Sequence, residues 1–219
     1  MMHPSHGKID LQGLKARLDP RHGCCALVAI KARAECKTRL AAELAADARI
    51  ALVRSMLAHV LHALRAAQTV RQIIVLSPER DQVPADVPVL ADRGVGLNEA
   101  LVEARGALLE LGARALLVLP ADLPLVAPAE IDRLVRAGRQ GFALAPDARG
   151  TGTNALFLRG AQPFRFQFGP DSRRGHLAEA ARAGLRPRVL RAPGLALDVD
   201  LPADLAAANM GACACLHRA

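Results

Sequence analysis

The chain has 219 residues, 52% of them hydrophobic, and a formal net charge of +8. At roughly 100–200 residues per domain it reads as one domain, long enough to bury a core without disulfide or metal staples. A charged fraction of 23% excludes a disordered chain, and the absence of Trp and Tyr, with only five Phe, removes the usual stacking platforms of single-strand nucleic-acid binding.

The first 22 residues are polar and carry no apolar leader-like stretch. Cys24 to Ile30 is a continuous apolar run, short enough for a buried strand. Ile50, Val53, Leu57, Val60, Leu61 and Leu64 recur at helical spacing, with Asp47 the expected N-cap. Ile73 to Leu76 is a second strand stopped by Ser77-Pro78, and Val87 to Leu90 a weaker third. Leu97 to Leu111 reads as a helix closed by Gly112, and Ala115 to Leu119 as a strongly apolar strand. Pro128 starts a helix that Gly138 ends. Short strands are expected at Ala143–Ala145, Ala155–Leu158 and Phe164–Phe168, then a helix near His176–Ala183, with Val189–Leu190 and Ala196–Val199 closing the sheet. Strands alternating with helices predict an α/β fold: a mostly parallel central sheet with helices on both faces. No apolar run reaches the length of a membrane span, so a cytoplasmic location without a membrane partner is expected.

The charge is unevenly placed. Residues 159–191 hold eight Arg against Asp171 and Glu179, a net +6, which leaves only +2 for the rest of the chain. Without a lysine-rich run or a basic helix, this favours small anionic substrates over nucleic acid. Five cysteines do not make a disulfide framework in a chain of this size. Cys24 and Cys25 read as small buried hydrophobes. Cys213, Cys215 and His217 suggest a metal trio but have no fourth ligand nearby.

Six stretches carry chemistry. Asp122 stands between Pro120 and Pro124, just past a central strand, where open α/β sheets bind ligands; a turn or cap Asp is the plain alternative. Asp198 and Asp200 share one face if their segment is a strand. Two carboxylates about 7 Å apart repel by about 2 kcal/mol at an effective dielectric of 20, which a divalent cation between them would relieve; the alternative is that Asp200 caps the last helix. Lys31, Arg33, Lys37 and Arg39 crowd the loop after the first strand, suited to a phosphate tail but equally to a solvated loop. Without a glycine-rich cradle there, a Walker loop and a dinucleotide fingerprint are both excluded. Arg93-Gly94-Val95-Gly96-Leu97-Asn98 is a glycine turn into a helix, where backbone amides approach a ligand closely. Gly150-Thr151-Gly152-Thr153-Asn154 and Phe168-Gly169-Pro170-Asp171-Ser172 are glycine and hydroxyl loops that suit a small phosphate, or two ordinary turns. Together these stretches describe metal-assisted phosphoryl chemistry between two anions.

The segments Ala145–Leu156, Phe166–Ser172 and Pro193–Leu205, with Lys31, Lys37, Arg39 and Leu40, resemble the guanylyltransferases of coenzyme F420 biosynthesis (CofC or FbiD), similar in turn to MobA-type nucleotidyltransferases. The resemblance covers roughly Cys25 to Asn209. It implies a single Rossmann-like nucleotidyltransferase domain over 23–210, flanked by an extension (1–22) and a tail (211–219). It also implies transfer of GMP from GTP to 2-phospholactate, phosphoenolpyruvate or 3-phosphoglycerate, releasing pyrophosphate.

Carried onto this chain, the resemblance implies Mg²⁺ held by Asp122, Asp198 and Asp200, with Thr153, Gly169 and Ser172 on the acid's phosphate. Lys31 would face the nucleotide phosphates, Gly96, Leu97 and Asn98 would seat the guanosine, and Lys31, Lys37, Arg39 and Asp122 would act in catalysis. His176 is expected to be structural. Ala29 stands where a Pro is common in the family, and Arg173 where relatives tend to have Phe. The partners expected are GTP and a phosphorylated three-carbon acid, with no nucleic acid; a homodimer stays open. The rival functions are a same-fold nucleotidyltransferase acting on a molybdopterin or sugar phosphate, and a non-catalytic nucleic-acid-binding module on the +6 segment.

Overall fold

The computed structural model describes residues 23–33, 36–94 and 96–208. The extension 1–22 and the Cys213, Cys215, His217 trio lie outside the described residues.

The strands are β1 (Cys24–Ala29), β2 (Val70–Ser77), β3 (Val89–Ala91), β4 (Ala115–Pro120), β5 (Phe142–Pro146), β6 (Thr153–Arg159) and β7 (Pro187–Val189). They form one sheet in the order β3-β2-β1-β4-β6-β5-β7. Six run the same way and β6 runs against them, antiparallel to both β4 and β5. The helices are α1 (Ala46–Ala66), α2 (Leu97–Glu110), α3 (Pro128–Ala137), α4 (Ser172–Arg182), α5 (Pro193–Ala196) and α6 (Pro202–Ala207).

Each central strand is apolar on both faces because each face meets helices. In β1, Cys24, Ala26 and Val28 join the core under α1 and α3, while Cys25 and Leu27 join the core under α2 and α4. In β4, Leu117 and Leu119 take the first side and Leu116 and Val118 the second. Both β1 thiols are buried, and burial pushes that of Cys25 up to about 12, so they pack as apolar groups.

The structure corrects several expected elements. Helix α1 begins at Ala46, so Asp47 lies in its first turn rather than at the N-cap; there its charge still meets the positive end of the helix dipole. Phe164–Phe168 is extended but is not a strand. Its amides are taken by side chains: Arg165 N–H donates to Glu179 Oε1 (2.7 Å), Gln167 N–H to His176 Nε2 (2.9 Å) and Phe168 N–H to Asn98 Oδ1 (2.8 Å). Ala196–Val199 does not close the sheet, because α5 ends at Ala196 and Val199 N–H donates to the Asp122 carbonyl at 3.3 Å.

Helix α5 is fitted against the start of α3. The Gly194 amide donates to Glu130 Oε1 at 2.9 Å, and Glu130 Oε2 accepts the Ala127 amide at 3.1 Å. A Cβ on Gly194 would come within 2.3 Å of the Leu125 carbonyl oxygen. Gly194→Ala should therefore lower stability by about 1–3 kcal/mol, read as a shift in the urea midpoint; an unchanged midpoint would refute that packing.

Candidate active site

The carboxyl ends of β1, β4 and β5 and the start of the reversed strand β6 lie at one edge of the sheet, the edge at which open α/β sheets carry their ligands. A cleft of about 300 Å³ opens there. Asp122, Asp198 and Asp200 line it, as do Thr153, Gly169 and Ser172. Lys31 and Leu97 line it too, together with Asp147 and Phe168. The two proposed half-sites therefore share one cavity, although residues 122 and 198 belong to distant parts of the chain.

Lys37 organises the acidic side. It adopts a left-handed backbone (φ 52°) that non-glycine residues rarely adopt, and its side chain is only 7% exposed. Its ammonium donates to Asp122 Oδ2 and, at 2.9 Å, to Asp200 Oδ1. Burial opposes the Lys37 charge, but Asp122 and Asp200 outweigh it and hold the ammonium's pKa above the ordinary value. The same pairing holds the Asp200 carboxyl below the usual range against the effect of burial, with Lys31 and Arg39 acting in the same direction.

Asp198 differs. Burial, reinforced by Asp122 and Asp200, raises its pKa, opposed by the Asn154 side-chain amide that donates to its Oδ1 at 3.1 Å. Asn154 also donates to the Ala196 carbonyl at 2.9 Å, fixing the chain that carries Asp198. Asp200 does not cap the last helix: the Asp200 and Leu201 amides both donate to Asp204 Oδ2. Because 198–200 is not a strand, this loop, rather than strand pleating, brings both carboxylates to the cleft.

The hydroxyl side rests on two braced loops. Asp147 Oδ1 accepts the amides of Thr151 and Gly152, each at 2.9 Å. Gly150 has φ 77°, and a Cβ on Gly152 would meet Asp147 Oδ2 at 2.8 Å, so both glycines serve the turn. Arg173 joins this loop to the next, its amide donating to the Thr151 carbonyl at 3.0 Å and its Nη1 to the Gly150 carbonyl at 2.9 Å. Gly169, with φ 132°, lets the chain turn into α4.

The cationic expectation is corrected in part. The arginines of 159–191 do not line the cleft; Arg173 is engaged with Gly150, and Arg182 pairs with Glu179 at 2.6 Å. Lys31 is the cation that lines the cavity, against four aspartates, while Arg39 is exposed and Lys37 is held by carboxylates. Of the guanosine candidates, Leu97 lines the cavity. Asn98 instead spends its side-chain amide on the Phe168 main chain, donating to its carbonyl (2.9 Å) and accepting its amide (2.8 Å). Asp147 and Asn154 are the residues that motif reasoning assigned no role, although both flank the Gly-Thr-Gly-Thr run.

The family model described as "Guanylyl transferase CofC like" matches residues 24–211. A phosphoenolpyruvate guanylyltransferase of Sphaerobacter thermophilus is 46% identical over 77% of this chain and 84% of its own. One of Rubrobacter xylanophilus is 43% identical over 78% and 85%. Among solved structures, a protein of Desulfovibrio desulfuricans G20 assigned as a nucleotide-diphospho-sugar transferase superposes with a TM-score of 0.70 at 17% identity, over 84% of this chain and 85% of that one. The sheet, the position of its cleft and these matches agree: the chain belongs to the CofC-like guanylyltransferase family and is a nucleotidyltransferase enzyme.

Proposed function

We propose that this guanylyltransferase transfers GMP from GTP to the phosphate of a phosphorylated three-carbon acid, phosphoenolpyruvate foremost, in coenzyme F420 biosynthesis. The observation that carries this reading is the joining of the Asp122, Asp198, Asp200 group and the Thr153, Gly169, Ser172 group in one cavity. The choice of phosphoenolpyruvate rests on the relatives that act on it.

A divalent cation fits the acidic side. The donors are carboxylate oxygens alone, the set that suits Mg²⁺, and Asp122 Oδ1 is buried without a hydrogen-bond partner. Among the described residues no group of three His, Cys, Asp or Glu is already gathered into a metal cage, and the Lys37 ammonium bridges two of these carboxylates. Asp122, Asp198 and Asp200 would hold the ion, which would neutralise charge on the triphosphate.

In the reaction an acceptor phosphate oxygen attacks the α-phosphorus of GTP, the bond to the bridging β-phosphate oxygen breaks, and pyrophosphate leaves. The acceptor is already ionised at neutral pH, so no general base is required. Lys31 faces the triphosphate and offsets repulsion between the two anions. Thr153, Gly169 and Ser172 hold the acceptor's phosphate in line, so positioning and charge neutralisation supply the catalysis.

Purified protein given GTP and Mg²⁺ should release pyrophosphate with phosphoenolpyruvate at a higher kcat/KM than with 2-phospholactate or 3-phosphoglycerate. No release with any of the three would overturn the reading. Release with a sugar phosphate or molybdopterin instead would move the enzyme to the other acceptor class. Arg173 and Arg182 are engaged within the fold, whereas Arg159, Arg165, Arg174, Arg186, Arg188 and Arg191 are exposed. A salt-dependent duplex shift lost on mutating Arg173 and Arg174 would favour the nucleic-acid module instead.

A further inference from the structure

His176, on α4, has no exposed surface. Its ring meets Phe168 edge-on at 4.6 Å and lies nearly parallel to Phe164 at 6.3 Å. Both ring nitrogens have partners: Nε2 faces the Gln167 amide at 2.9 Å and Nδ1 faces Thr153 Oγ1 at 3.0 Å.

These two contacts settle the tautomer. A backbone amide only donates, so Nε2 must present its lone pair to Gln167. A neutral imidazole has one N–H, which is then on Nδ1 and donates to the Thr153 oxygen. Burial, against a smaller pull from Glu179, pushes the imidazole pKa down to about 4, so the ring is neutral at pH 7. The Thr153 hydroxyl has one proton and two lone pairs. With His176 donating to a lone pair, that proton is left free for a ligand in the cleft that Thr153 lines.

We propose that His176 is a positioning residue for the acceptor: through its Nδ1–H it fixes the Thr153 hydroxyl as a donor to the acceptor's phosphate, and so sets acceptor affinity without touching either substrate. The inference rests on the acceptor assignment made above. An ionised phosphate oxygen only accepts, so a hydroxyl that turned a lone pair toward it would repel rather than bind. His176 makes that orientation unfavourable because its own N–H occupies the other side of the oxygen. The same ring packs against Phe168, which precedes Gly169 in the cleft wall.

His176→Phe keeps a flat ring among Phe164, Phe166 and Phe168 but removes both nitrogens. It should raise the KM for phosphoenolpyruvate roughly tenfold or more, leaving the KM for GTP within about twofold and kcat little changed. His176→Asn, which restores a donor at the place of Nδ1, should recover most of the loss. In a Thr153→Val background, His176→Phe should have little further effect. Nitrogen-15 spectra of the wild-type protein at pH 7 should show Nδ1 protonated and Nε2 bare, a readout that does not depend on the variants folding.

An Nε2–H tautomer, equal KM shifts for both substrates, or an unmoved phosphoenolpyruvate KM in folded His176→Phe would each overturn the role. Loss of pyrophosphate release from the wild type with all three acids would remove the acceptor assignment itself. Normal wild-type turnover with an unmoved KM in His176→Phe would remove only the role of His176.

Discussion

Asp198→Asn should lower kcat/KM by about 10³-fold, or roughly 4 kcal/mol of transition-state stabilisation, while the protein remains folded. The asparagine carbonyl can still accept the Asn154 amide that now meets Asp198 Oδ1 at 3.1 Å. Only a charge is removed, and that charge repels Asp122 and Asp200. The thermal midpoint should therefore equal or exceed that of the wild type, even as pyrophosphate release falls. Turnover within tenfold of the wild type would take Asp198 out of the reacting centre.

Lys37→Met tests the opposite charge and should affect stability as well as rate. Methionine keeps most of the apolar stem but leaves Asp122 and Asp200 facing each other without the ammonium that bridges them. Removing one partner of a buried pair costs about 3–5 kcal/mol, and the half-exposed Asp200 places this case near the lower end, about 3 kcal/mol. Urea unfolding at pH 7 should show that loss. The deficit should shrink as pH falls, because in the wild type Lys37 holds the Asp200 carboxyl below the usual range against the effect of burial, a stabilisation that is lost on protonation. Adding Asp122→Asn should restore much of the stability at pH 7 but none of the activity. A Lys37→Met protein as stable as the wild type would show that the bridge contributes nothing.

The interior strands were legible in the sequence because β1 and β4 are buried on both faces and read as apolar runs, while β2 was legible only over Ile73–Leu76, since Arg71 and Gln72 break its first half. Strand β7 is exposed at all three of its residues, so it offers little apolar signal; it begins two residues before the expected Val189–Leu190 and ends one residue short of that segment's end. The Phe-x-Phe-x-Phe alternation at 164–168 has the period of a strand because the segment is extended with alternate residues inward. What periodicity does not report is the partner, which here is a set of side chains. The carboxylates of the cleft were legible from their places beyond apolar runs. The position of Lys37 was not, because its partners lie 85 and 163 residues away. Nor was the engagement of Arg173, whose partner Gly150 lies 23 residues away, whereas the Arg182–Glu179 pair is a local contact within α4.

The side-chain anchoring of residues 164–168 has a consequence for how such an enzyme diversifies. Asp122 is attached to β4, at the centre of the hydrogen-bonded sheet, where a shift in register would move every inward side chain. The segment that leads into Gly169 and Ser172 is instead tied by Asn98, His176 and Glu179. Substitutions at those three anchors can re-aim the acceptor loop by fractions of an ångström while the sheet keeps its register. The Gly169–Ser172 loop can thus shift without a change in the register of the sheet that carries Thr153 at the start of β6 and Asp122 just beyond β4.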